Sequence, residues 1–187
     1  MKNNNTLKLI LTALFLALTY VLPFLTGQIP EIGSMLCPMH IPVLLCGFIC
    51  GWQNALVLGA VAPIFRSLIA GMPPLFPTAL CMTFELAAYG AVSGIMYKLL
   101  PKKKIYIYCS LIISMVAGRI VWGLAMLISM NVSGGSFGIS AFIAGAVTNA
   151  LPGIIFQIVL VPAIVMLLES AKLPLLVNKN NVDNDRS

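Results

Sequence analysis

The chain has 187 residues, 60% of them hydrophobic and only 9% charged, with a formal net charge of +6 and a mean hydropathy of +1.02. Apolar runs long enough to cross a bilayer recur along most of it, which excludes a water-soluble globular domain and leaves a polytopic membrane protein. The spans and their short connections fill almost everything from Leu7 to Leu176, so residues 1–176 read as a single integral domain and 177–187 as a polar, disordered tail.

Lys2 and Lys8 introduce a first run, Leu7 to Leu25, that is longer than a signal-peptide core and has no small-x-small cleavage site; it is expected to be retained. Further spans are expected at Cys37 to Cys50, Asn54 to Ala70, Thr78 to Leu99, Ile105 to Met130 and Ile139 to Leu168. Cys37 to Ala70 is divided at Gly51, Trp52 and Gln53 because a single helix of its 34 residues would run roughly 51 Å, against a hydrocarbon core of about 30 Å. Gly47 with Gly51, and Gly90 with Gly94, have the small-xxx-small spacing that lets helix backbones approach. Trp52, Tyr97, Tyr106 and Tyr108 fall near one boundary, as interfacial anchors do. Pro152 and Pro162 permit kinks in the last span.

The fold predicted is all-α, a bundle of six transmembrane helices with both termini cytoplasmic. Charge supports it. With six spans, Lys2, Lys8, Lys98, Lys102, Lys103, Lys104, Lys172, Lys179 and Arg186, nine of the eleven basic residues, share the cytoplasmic side, while the outer loops hold no Lys or Arg and include Glu31. The other two basic residues, Arg66 and Arg119, lie inside spans, as does Glu85.

Ionisable groups in hydrocarbon cost several kcal/mol unless paired or solvated, so they mark a substrate path or a structural pair. On this topology Arg66, Glu85 and Arg119 sit roughly 6, 11 and 16 Å below the outer ends of their spans. Helical spacing puts Thr78, Met82, Glu85 and Tyr89 on one face of span four and Arg119, Trp122 and Met126 on one face of span five. Asn149 and Phe156 make a similar face on span six, and His40 lies near the outer end of span two. Arg66, Glu85, Arg119, Trp122, Asn149, His40, Met82 and Tyr89 are therefore the candidate substrate-binding residues of a pocket opening outward. Two cations against one carboxylate leave a surplus positive charge, which favours a carboxylate or phosphate on the ligand. The plainer reading is that Glu85 neutralises one arginine while the other, Arg66 above all, snorkels to the interface.

Other chemistries lack their residues. One histidine, even with Met35, Met39 and Met72 nearby, is too few for a transition-metal sphere, so no metal site is expected. Cys37, Cys46, Cys50, Cys81 and Cys109 form no metal-type pairs and read as small hydrophobes. No Ser/His constellation points to an enzyme, and no phosphate loop is present to hydrolyse ATP, so no cofactor is expected in the chain itself. An engine must then be borrowed or an ion gradient used. Ala13 and Ala17 form an AxxxA step on which another helix can dock.

These features resemble the S components of energy-coupling factor (ECF) transporters, the substrate-binding subunits of bacterial vitamin importers. The resemblance covers roughly Leu7 to Leu168. It rests on six spans in under 200 residues, basic cytoplasmic ends, Ala13-Leu14-Phe15-Leu16-Ala17, Met39-His40-Ile41-Pro42-Val43-Leu44-Leu45 and Gly71-Met72-Pro73-Pro74-Leu75-Phe76-Pro77. It implies a multi-pass protein of the bacterial plasma membrane whose Ala13 and Ala17 pack on a transmembrane T component driven by two cytoplasmic ATPases, which use the ATP. It also implies capture of a B vitamin or precursor from outside, toppling, and inward release. The surplus positive charge points to pantothenate, with a neutral pyrimidine or pyridine ring stacked on Trp122 as the alternative. The competing function is a self-sufficient proton- or ion-coupled secondary transporter of a small organic anion, in which Glu85 carries the coupling proton. A scaffold subunit without a ligand is a further class.

Overall fold

The computed structural model describes residues 2–25, 38–101, 103–134, 138–145 and 150–170. Their regular structure is helical: α1 (Lys2–Leu25), α2 (His40–Cys50), α3 (Trp52–Ala70), a π-helical turn (Leu75–Ala79), α4 (Leu80–Leu99), α5 (Lys104–Val132), α6 (Ile139–Ile143) and α7 (Leu151–Ser170). Five stretches are long and apolar enough to cross a membrane: α1, α3, the π turn continued into α4, α5 and α7. In lipid a helix closes its backbone hydrogen bonds within one segment, which is why apolar runs of this length take that form.

α2 is shorter than these five. Its 11 residues reach roughly 16 Å, about half of a hydrocarbon core. Every residue of it except Ile49 is buried, with α1, α3, α4 and α7 packed around it. A helix apolar on all sides belongs in the interior, and α2 is the centre of the bundle: Val43, Leu44 and Cys46 are wholly enclosed. The second predicted span is thus a short central helix, and its residue Cys37 lies outside the described residues.

Gly51 separates α2 from α3. Its φ of 94° and ψ of 167° fall in a region that only glycine occupies without strain, so the chain reverses there in one residue. α3 ends at Gly71 in the left-handed conformation (φ 69°), whose N–H bonds to the Ser67 carbonyl at 3.0 Å, a common helix stop.

Glycines also set how closely α4 approaches its neighbours. A Cβ on Gly90 would run into the Ala55 carbonyl, one on Gly59 into the Leu86 carbonyl, and one on Gly47 into the Ser93 hydroxyl; on Gly94 it would stand 2.5 Å from the Trp52 nitrogen. Gly47, Gly90 and Gly94 therefore serve close packing as their spacing predicts. Gly51 does not: nothing lies within 4 Å of a Cβ there, and its role is the turn.

Of the sixth predicted span, Ile139 to Leu168, residues 146–149 lie outside the described residues. α6 covers only Ile139–Ile143 and α7 starts at Leu151. Pro152 lies in the first turn of α7, where a missing N–H costs nothing, and Pro162 is the proline within the helix body.

Contacts align the ends of the helices. Thr12 of α1 meets Cys46 of α2 at 3.9 Å, Gly94 of α4 meets Trp52, and the Tyr97 hydroxyl of α4 bonds to Glu169 of α7. One end of the bundle thus collects the start of α1, the Gly51 turn, the end of α4 and the end of α7. At the opposite end Arg66 of α3 bonds to Tyr20 and Met72.

Candidate functional site

Glu85 on α4 is 2% exposed and meets side chains of both α2 and α5. Its Oε1 is 2.9 Å from Nη1 of Arg119 on α5 and 3.4 Å from Nε2 of His40, the first residue of α2. A buried carboxylate needs such partners, because loss of hydration is compensated only by an opposite charge or a donor at hydrogen-bond distance. Tyr89, one turn further along α4 and fully buried, meets the His40 ring edge-on at 5.1 Å. Gly118 explains how α5 comes near enough: a Cβ there would stand 2.7 Å from the Tyr89 ring. The glycine before Arg119 lets the guanidinium reach Glu85.

Trp122 lies one turn beyond Arg119 and stacks against Phe142 of α6, with ring centroids 6.3 Å apart and planes at 28°. Gly145 abuts the Trp122 ring and Gly123 abuts Phe142. The short α6 therefore brings an aromatic wall to the helix that carries Arg119. Met82, half-buried, packs on the core from α4, and Thr78 is half-buried at the π turn.

Arg66 is elsewhere engaged. Its Nε donates to the Met72 carbonyl at 3.0 Å and its Nη1 to the Tyr20 carbonyl at 3.2 Å, with the guanidinium 5.6 Å from the Phe24 ring centroid. It is 7% exposed, so it is enclosed rather than extended to an interface. The structure brings Glu85, Arg119, His40 and Tyr89 together, puts Trp122 on the adjoining turn, and ties Arg66 to α1 and the α3–α4 connection. Asn149 lies outside the described residues.

Two features escaped the sequence reading. Phe156, predicted on the inward face of the last span, is 47% exposed, and the next residue, Gln157, is buried at 2%; the inward face of α7 runs through Gly153, Gln157, Val161 and Val165. A lone glutamine in an apolar run was the available signal. Phe142 was the other, and Gly123 beside Trp122 was its faint mark. Among the described residues no three His, Cys, Asp or Glu side chains group closely enough for a metal ion. Cys46, Cys50 and Cys81 are free and buried.

The described residues thus form a helical bundle with five membrane-capable helices and a charged pair, Glu85 and Arg119, in contact within it. Residues 7–165 match the family of ECF transporter substrate-specific components, and the chain belongs to it. Comparison with curated proteins and with solved structures gave no match. The chain is accordingly the substrate-binding subunit of an ECF transporter, a transport subunit that works with a T component and ATPase partners on a small-molecule substrate.

Proposed function

We propose that the chain captures a B vitamin or precursor from outside the cell at the Glu85–Arg119–His40 cluster, with Tyr89, Met82, Trp122 and Asn149 completing the pocket, and passes it inward. The observation that carries this reading is Glu85 held between Arg119 and His40 at the junction of α2, α4 and α5. The carboxylate holds a guanidinium that retains 15% exposure close to an aromatic surface. A guanidinium so oriented suits a planar acceptor, and pantothenate, which carries a carboxylate, is the first candidate.

Six crossings with both termini cytoplasmic, in a bacterial plasma membrane, complete the reading. What supports it is that Lys8, Lys98 and Lys103 belong to the same end of the bundle as the start of α1 and the end of α7, as the positive-inside rule requires of a cytoplasmic face. Ala13 and Ala17 are exposed on α1, between the exposed Ile10, Leu14, Leu18 and Val21, an open face suited to the T component.

A thermal-shift series on the purified chain tests the site. A ligand at 100 times its Kd adds about 2.7 kcal/mol, so pantothenate or another B vitamin is expected to raise Tm and Arg119→Ala to abolish the rise. No rise with any B vitamin or precursor sinks the reading. Uptake by the chain alone in proteoliposomes, lost on collapse of the proton gradient, selects the secondary transporter instead.

A further inference from the structure

Two nitrogens converge on a single carboxylate oxygen: Oε1 of Glu85 is 2.9 Å from Nη1 of Arg119 and 3.4 Å from Nε2 of His40. Arg119 alone balances Glu85, so the cluster is neutral while the imidazole is neutral. The ring is sealed from water at 2% exposure, and neither of its nitrogens makes a hydrogen bond among the described residues, an unmet demand in a buried polar group. At rest an imidazolium here is opposed by the Arg119 charge and by the positive end of α2, of which His40 is the first residue.

An anion upsets this balance. A carboxylate taken onto the guanidinium, which keeps 15% exposure, sets two negative groups against a single positive one. An uncompensated buried charge is costly, and such a site relaxes by moving a proton. His40 is the only histidine of the chain, and imidazole is the side chain that ordinarily changes charge between about pH 5 and 8. From α4 the groups facing it are Glu85 and Tyr89, whose ring meets the imidazole edge-on at 5.1 Å. On α3 Arg66 is engaged by the Met72 and Tyr20 carbonyls, and on α1 the Tyr20 ring packs on Phe24 and Phe65. Lys8 of α1 and Glu169 of α7 stand at the other end of the bundle, and Gln157 of α7 has no charge to change.

We propose that His40 is the proton acceptor that keeps this cluster neutral: a carboxylate ligand entering on Arg119 brings a proton from solvent to the imidazole, which then pairs with Glu85. The site thus takes an anion together with a proton and a neutral analogue without one. That use rests on the anion-binding reading of the site. The charge balance itself is tested without a ligand, because Arg119→Met upsets it in the same sense.

Tm of the purified full chain and of Arg119→Met is compared at about pH 6 and about pH 8. The loss caused by Arg119→Met is expected to be smaller at the lower pH, where His40 holds a proton and pairs with Glu85, and larger at the higher pH, where that proton is gone. In a His40→Gln or His40→Asn background the loss is expected to be equal at both. A loss independent of pH with His40 present, or a pH dependence that persists without His40 and so belongs to Glu85, overturns the proposal. With pantothenate, calorimetry in buffers of differing ionisation heat is expected to show uptake of about one proton, and affinity to weaken by up to about tenfold per unit of rising pH. The analogue with a hydroxyl in place of the carboxylate is expected to take up none. Pantothenate binding without proton uptake also overturns the proposal. Failure of every B vitamin and precursor to bind defeats the anion-capture reading instead, and the Tm comparison then decides on His40 alone.

Discussion

Glu85 and Arg119 are individually unaffordable in hydrocarbon and tolerable as a pair, and this interdependence is measurable. Arg119→Met leaves Glu85 buried with His40 as its remaining neighbour of those two, and removal of one partner of a buried pair typically costs about 3 kcal/mol. Replacing both, Glu85→Leu with Arg119→Met, is expected to recover most of that loss in Tm, since two apolar groups need no compensation. A double variant as unstable as the sum of the singles shows that the pair does not act as a unit. Arg66 behaves differently: its donors meet backbone carbonyls, so Arg66→Ala is expected to lower Tm without altering the Tm rise given by ligand, whereas Arg119→Ala abolishes that rise. The three embedded charges were legible in the sequence because charge is scarce there and conspicuous. Which arginine meets Glu85 was not, because that depends on how α3 and α5 are rotated, and Gly118 and Tyr89 settle it.

At the scale of elements, two glycine substitutions separate two causes of destabilisation. Gly90→Ala drives a methyl into the Ala55 carbonyl and must push α3 and α4 apart, whereas Gly51→Ala meets no atom but forces a φ of 94° on a residue with a Cβ, a strain of about 1–3 kcal/mol. Thermal unfolding in detergent is expected to show both losses, with helix crosslinking between α3 and α4 disturbed by Gly90→Ala alone. Leu44→Ala, in the enclosed α2, is expected to cost about 2–5 kcal/mol through its cavity. Leu14→Ala, on the 55% exposed face of α1, opens no cavity and is expected to leave Tm near that of the parent. The division at Gly51 followed from length alone. That the second span is short showed already in its bounds, Cys37 to Cys50; its central position did not, since an apolar run looks the same whether lipid or protein surrounds it. For the same reason the face of α7 was misjudged at Phe156.

For the whole molecule, the common end shared by Lys8, the Gly51 turn, Lys98 and Glu169 yields a topological prediction. A cysteine introduced at Lys103 is expected to react with an impermeant maleimide only in inside-out vesicles, and one at Gly134 only in right-side-out vesicles. The reverse pattern contradicts the proposed orientation. Membership of the ECF substrate-specific components implies a T component, and the face proposed to receive it is the exposed Ala13 and Ala17 side of α1.

Composition and periodicity were sufficient for an all-helical membrane protein with rare, meaningful charges, because hydrocarbon imposes the same demand on every span and the demand is written in runs of apolar residues. Hydropathy is blind to rotation about a helix axis when all faces are apolar. The burial of α2, the pairing of Glu85 with Arg119 and His40, the engagement of Arg66 by carbonyls and the Tyr97–Glu169 link all arise from side-chain fit between helices distant in the chain, where a glycine or a ring determines which groups can touch.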